Sequence, residues 1–160
     1  MRIAKIKYND TVDGEGVCVS LWTQGCSHHC EGCHNPETWD ENGGYEISLE
    51  DLKKTIIEAI PANGIKRNFS ILGGEPFSPN NIDNTAKILE EVRKVYPDIK
   101  IFVWTGYKLE QLLKLYNNMN KILSNIDILI DGPFILKQRD ITLKLRGSSN
   151  QRILYKNIDF

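Results

Sequence analysis

Short apolar runs ending in glycine-bearing polar turns alternate along this chain with longer stretches of helical periodicity. That alternation restricts the fold more than any other feature. Val17 to Thr23, Phe69 to Leu72, Ile99 to Trp104 and Ile126 to Ile130 are the runs, rich in β-branched and aromatic residues. Strands this uniformly apolar must be covered on both faces, which points to a parallel sheet. Between them, Ser48 precedes Leu49, Leu52, Ile56, Ile57 and Ile60 at helical spacing, with Asp51 in the capping-box place, until Pro61 stops the pattern. Asn80 or Asn81 is placed to cap a second helix through Val95, carrying Ile82, Ala86, Leu89 and Val92 and closed by Pro97. A third helix is expected around Leu109 to Tyr116, with a further helical turn to Leu123. Ile3 to Lys7, Ile141 to Leu145 and Arg152 to Tyr155 are candidates for extra strands.

A complete eight-unit barrel takes about 250 residues, so a chain of 160 residues holds only part of one. The expected fold class is α/β, either a partial (β/α) barrel or an open twisted parallel sheet. No repeat, linker or low-complexity stretch divides the chain, so one domain over residues 1–160 is expected. A chain of this size buries about 70% of its unfolded surface and needs no disulfide or structural metal to fold. A metal site must therefore be explained by function.

Twenty Lys plus Arg against 21 Asp plus Glu leave no basic field to hold nucleic acid or anionic lipid non-specifically. The N-terminus, MRIAKIKYND, lacks the apolar core of a signal peptide, and no apolar run approaches the roughly 18 residues of a membrane helix. The reading is a cytoplasmic chain with neither nucleic acid nor membrane as partner. In that reducing compartment cysteines bind metals or react more often than they pair.

All four cysteines lie early, at Cys18, Cys26, Cys30 and Cys33. Cys18, among apolar strand neighbours, reads as a small buried hydrophobe. The other three sit in Cys26-Ser27-His28-His29-Cys30-Glu31-Gly32-Cys33, where spacings of three and then two residues let each sulfur reach a different corner of one soft-metal centre. Iron–sulfur cubanes are commonly held by four cysteines, so three leave one iron open to a substrate or cofactor. Zinc completed by His28, His29 or His34 is the other reading. Ligand sites in parallel α/β sheets gather at the carboxyl ends of the strands. Here those ends carry the Cys/His loop, Gly73-Gly74-Glu75, Thr105-Gly106 and Asp131-Gly132, so one shared mouth would collect them all.

The Cys-x3-Cys-x2-Cys spacing resembles that of the radical S-adenosylmethionine (radical SAM) enzymes. Its flanks, Gln24-Gly25 and His34-Asn35-Pro36-Glu37-Thr38-Trp39, are similar to those of the activating enzymes of glycyl-radical proteins. Gly73-Gly74-Glu75-Pro76-Phe77 resembles the family motif that meets the amino group of the methionine moiety. Gly32 before the third cysteine, Asp131-Gly132-Pro133-Phe134, and Arg146-Gly147-Ser148-Ser149-Asn150-Gln151-Arg152 are similar to the branch that activates the anaerobic ribonucleoside-triphosphate reductase. His34-Asn35-Pro36 suits pyruvate formate-lyase activators as well. The resemblance runs from about Tyr8 to Arg152.

It implies a fold of radical SAM type, with a 4Fe-4S cluster on Cys26, Cys30 and Cys33. S-adenosylmethionine would be contacted by Gly32, Cys33, His34, Gly74 and Glu75, largely through main chain; Thr105 and Asp131 stand where relatives contact it or a nearby cation, although the lysine usual beside that aspartate is missing and Asp131 also reads as the first residue of an Asp-Gly turn. Gly74 is expected to admit the ligand close to the backbone and to tolerate positive φ. The cofactors carry the radical chemistry, so no side chain is expected to be catalytic itself. The implied activity is reductive cleavage of S-adenosylmethionine and abstraction of hydrogen from a glycine of the reductase. The implied partners are the large reductase subunit, which supplies that glycine, and a flavodoxin-like electron donor. His28 and His29 read as solvated loop residues, Trp39 and Trp104 as packing, and residues 146–152 as a polar edge or a solvated loop. Activation of another glycyl-radical enzyme, radical chemistry on a small molecule in the manner of carboxy-deazaguanine synthases, and a zinc-binding module stay open at this point.

Overall fold

The four apolar runs form the parallel centre of one seven-stranded sheet in the computed structural model, which describes residues 1–160. The strands are β1 (Arg2–Asp10), β2 (Cys18–Thr23), β3 (Tyr45–Glu46), β4 (Asn68–Gly73), β5 (Ile101–Trp104), β6 (Ile128–Asp131) and β7 (Arg152–Tyr155). Their order across the sheet is β3-β1-β2-β4-β5-β6-β7. β2, β4, β5 and β6 are parallel, whereas β1, β3 and β7 add antiparallel edges. The sheet is mixed and does not close into a barrel. The expected strand at Ile141 to Leu145 does not form: Asp140 Oδ1 takes the amide of Thr142 at 2.9 Å, an Asx turn that bends the chain there.

Helices make the parallel crossovers: α1 (Leu49–Ala59), α2 (Ile82–Val95), and the short α3 (Leu109–Leu115) and α4 (Met119–Leu123). Ser48 caps α1 as its sequence suggests, its Oγ accepting from the amide of Asp51 at 3.0 Å. Asn81 precedes α2 but makes no side-chain cap, because its amide is used elsewhere.

The pleat separates two faces. Val19, Leu21, Phe69, Ile71, Ile101, Val103 and Leu129 pack with Leu52, Ile56, Leu89, Leu112 and Ile122 in the main core, which takes buried residues from all four helices. The opposite face carries Ser20, Ser70, Phe102 and Ile128 in one row, with Trp22 paired to Leu72 and Trp104 to Ile130 in the next. No helix covers this second face, contrary to the usual doubly covered arrangement. The β1–β2 loop lies on it, with Gly14 against Cys18, Ser70 and Phe102, and Leu145 packs there too. A face covered by loops and not by helices leaves room for a site. No helix is long and apolar enough to cross a membrane.

Arg67 joins α1 to the sheet. It is buried, and its Nη1 donates to the carbonyls of Ala59, Ile60, Ala62 and Ile65 while Nε and Nη2 reach Asn9 Oδ1. α1 has no basic residue in its own last turn, so this guanidinium supplies the charge that its C-terminal carbonyls favour. Arg67→Met should therefore destabilise the fold by about 3 kcal/mol or more, since buried carbonyls lose charged donors. Urea denaturation measures it, and a loss under about 1 kcal/mol would show that water replaces the guanidinium at little cost.

Candidate cofactor site

The cysteine loop leaves the carboxyl end of β2 and is held there by main chain. Gly25 N donates to Thr38 O at 2.8 Å and Cys26 N to Trp39 O at 3.1 Å. Buried Gln24 closes the loop's far side, its Nε2 donating to Glu37 O and Asp40 O at 2.9 and 2.7 Å. The end of β4 docks against the same stretch, with Gly74 N on Thr23 O and Glu75 N on Gly25 O, each at 2.8 Å. The Asn81 amide, absent from the helix cap, ties these segments together by donating to Gln24 O and Glu75 O at 2.9 and 3.0 Å.

Gly73, not Gly74, carries the positive φ, at +99°. A Cβ on Gly74 would lie 2.6 Å from Gly25 O and 3.0 Å from Thr23 O. Glycine there lets β4 approach the root of the cysteine loop, which corrects the expectation that its freedom serves φ and the ligand alone. Gly32 does adopt positive φ, at +73°, and a Cβ there would meet Leu136 at 2.8 Å.

Glu75 is fully buried and its carboxylate is saturated. Oε1 accepts from Thr105 Oγ1 at 2.8 Å and Phe77 N at 3.0 Å, and Oε2 from Gly106 N at 2.8 Å and His28 Nε2 at 2.9 Å. His28, read above as a solvated loop residue, is therefore engaged. Thr105 is likewise buried, holding Glu75 while its hydroxyl accepts from Tyr107 N at 3.1 Å.

These ends surround one open cavity of about 410 Å³. Cys26, Cys30, Cys33, His34, Gly74, Glu75 and Thr105 all line it, as do Asp13, Trp22, Gly106, Arg146 and Gln151. Gly32 and Asp131 do not. Asp131 Oδ1 accepts from Arg152 Nε at 2.9 Å and its Oδ2 from Leu109 N at 2.7 Å, so it anchors the start of α3 beneath the mouth. Residues 146–152 are a brace and not a solvated loop. Gln151 Oε1 accepts from Gly147 N and Ser148 N, its Nε2 donates to Gly132 O, and Asn150 Nδ2 donates to Pro133 O. Trp104 Nε1 donates to Leu145 O at 2.8 Å, and Trp39 packs against His29.

Burial pushes the Cys26 thiol up to about 11 and raises that of Cys30, with Glu75 and the neighbouring thiols adding to both. Ligation must therefore displace protons, and a polycationic centre supplies the charge that makes thiolates favourable. Asp13, on the far wall, is pushed up to about 6 by burial and by hydrogen bonding and repulsion from Asp10. Sequence reasoning passed over Asp13, Trp22 and the His28–Glu75 link. An Asp-Gly turn just before a strand was the available signal for the first.

A model of the 4Fe-4S single cluster domain family matches residues 12–154. The anaerobic ribonucleoside-triphosphate reductase-activating protein of Haemophilus influenzae is 39% identical over 146 residues, 90% of this chain and 91% of that protein. The protein of that name from Escherichia coli K12 is 36% identical over 143 residues, 89% and 90% of the two chains. That of Enterobacteria phage T4 is 33% identical over 151 residues, 94% and 90%. This chain belongs to the reductase-activating protein family.

As a reductase-activating family member with a 4Fe-4S domain, the chain offers a donor set that fits the cluster. Three half-buried thiols face one cavity, and none is in a disulfide. Of the histidines that zinc would need, His28 spends its Nε2 on Glu75, while His29 packs its ring against Trp39 and His34 against Phe134. In this activating-protein fold the cavity also holds room for a second group. Trp22 Nε1 and Arg146 Nε are buried without partners, and both residues line it.

Proposed function

We propose that this chain is a radical SAM activase that abstracts hydrogen from a glycine of an anaerobic ribonucleoside-triphosphate reductase. The observation that carries the reading is the convergence of Cys26, Cys30 and Cys33 with the Gly74, Glu75 and Thr105 strand ends on one open mouth. The thiolates of Cys26, Cys30 and Cys33 would hold the cluster, with one of its irons left without a protein ligand for S-adenosylmethionine. Together, when bound, these groups supply a one-electron cleavage of the sulfonium and the hydrogen-abstracting radical.

The protein's own part is binding, orientation and exclusion of side reactions. The main chain at Gly74 and around Cys33 to His34 would hold the cofactor in the cavity, and the cationic Arg146, which lines the same cavity with its Nε unpartnered, would favour the cofactor's carboxylate. Glu75 and Thr105 are saturated by each other, by His28 and by backbone, so they set the shape of the mouth and offer no exposed reactive group of their own. Asp131 serves the same end one layer down, through Arg152 and α3. Leu72, Trp104, Leu143 and Leu145 make the remaining wall largely apolar. Val12, three-quarters exposed at the rim, leaves the cavity open to a protein loop. The large reductase subunit is that partner, a flavodoxin-like protein is the electron donor, and the cytoplasm is the setting.

Reduced, reconstituted protein mixed anaerobically with the large reductase subunit and S-adenosylmethionine should give a persistent glycyl radical on that subunit, read by electron paramagnetic resonance. Replacing the partner's glycine by alanine should abolish it. Persistence of the signal in that variant, or stoichiometric conversion of a nucleotide by this chain alone, would overturn the activase reading.

A further inference from the structure

His28 lies between two of the cysteines that face the cavity, yet its side chain turns away from a ligand role. Its ring is 19% exposed, its Nε2 stands 2.9 Å from Glu75 Oε2, and its edge meets the Tyr107 ring at 4.5 Å. The Glu75 side chain is 1% exposed and takes three further donors, from Phe77 N, Thr105 Oγ1 and Gly106 N. A carboxylate that only accepts obliges His28 to donate from Nε2, since the other tautomer would set a lone pair against it. One anion thereby gathers donors from the cysteine loop, from the turn after β4 and from the turn after β5.

The β5 turn is shaped for this ring. A Cβ on Gly106 would come within 2.4 Å of the His28 imidazole, so the ring can sit there only because residue 106 is glycine. Main-chain bonds fix the loop at Gly25 and Cys26, and between Cys26 and Cys30 the His28–Glu75 bond is a side-chain tie across to another strand.

We propose that His28 is a positioning residue, fixing the Cys26–Cys30 segment to the ends of β4 and β5 through Glu75. It sets where the thiolates stand relative to the main chain at Gly74 and Thr105. A cofactor that must reach the cluster and those strand ends together demands placement to within about 0.5 Å. The inference rests on the cluster-and-S-adenosylmethionine reading above.

The test compares His28→Ala, His28→Gln and Gly106→Ala, each alone, and the Gly106→Ala change within His28→Ala. In the cluster-free chain, exchange of the backbone amide at position 106 should speed up at least tenfold in His28→Ala and in Gly106→Ala. In reconstituted protein His28→Ala should keep its iron but raise the apparent dissociation constant for S-adenosylmethionine about 10-fold or more, the range typical of residues that orient ligands. Glutamine, whose Nε2 can donate to the same carboxylate, should recover most of both losses. Gly106→Ala should add little once His28 is gone, because the two act through one contact. Unchanged amide exchange and cofactor affinity in His28→Ala, no rescue by glutamine, or simple additivity of the two alanines would each overturn the proposal. Failure of the wild-type protein to bind S-adenosylmethionine would instead overturn the cofactor reading, while the exchange measurement still decides whether His28 ties the loop.

Discussion

Alanine at Cys26, Cys30 or Cys33 should remove the cluster iron and all reductive cleavage of S-adenosylmethionine, yet leave a chain that unfolds cooperatively at nearly wild-type denaturant concentration. The reason lies in where the sulfurs stand. All three are half-buried on a loop beyond the end of β2, outside the core that packs the sheet against the helices. That loop is held by Gln24, Gly25 and Asn81, none of which needs a metal to make its bonds. Cys18 supplies the contrast. It is fully buried on the loop-covered face, its Sγ 3.6 Å from Glu15 O, and it does not line the cavity. Cys18→Ala should thus keep full iron content and cleavage and lose only packing, about 1 kcal/mol. Iron analysis and urea denaturation of the four variants check both halves. Wild-type iron in any of the first three, or its loss only in the Cys18 variant, would refute the ligand assignment.

Local chemistry was legible in the sequence, and contacts between distant segments were not. The parallel strands show as apolar runs because both their faces are buried, and α1 announces itself through Ser48 and the spacing of Leu52 and Ile56. Ile141 to Leu145 has a strand's alternation, but its backbone is claimed by the Asp140 turn and Ile141 is left 81% exposed. Asn81 has a cap's sequence position and spends its amide on two carbonyls of other segments. The cysteine spacing and the Gly-Gly-Glu turn were legible because each is a local pattern at a strand end, and the two line one cavity. The bond between His28 and Glu75 spans 47 positions, and that between Arg67 and Asn9 spans 58. Neither pair belongs to a periodic or turn pattern, so only the folded chain brings its members into view.

Gly74→Ala should cost both cluster and cofactor, a larger effect than loss of S-adenosylmethionine affinity alone. The added methyl has nowhere to go. It would stand 2.6 Å from Gly25 O and 3.0 Å from Thr23 O, and both obstacles are backbone, which cannot rotate aside as a side chain can. Those same carbonyls accept the amides of Glu75 and Gly74, so parting the segments stretches two hydrogen bonds as well. Gly25 precedes Cys26, and a shift at its carbonyl is passed to the first thiolate. Overpacking of this kind costs about 1–3 kcal/mol, enough to lower stability measurably without unfolding a domain of ordinary stability. Reconstituted Gly74→Ala should accordingly hold less iron than wild type, bind S-adenosylmethionine at least tenfold more weakly by calorimetry, and unfold at lower urea. Wild-type iron and stability combined with weakened cofactor binding would mean that Gly74 serves the ligand's approach alone, and that the β4 end is not what seats the cysteine loop.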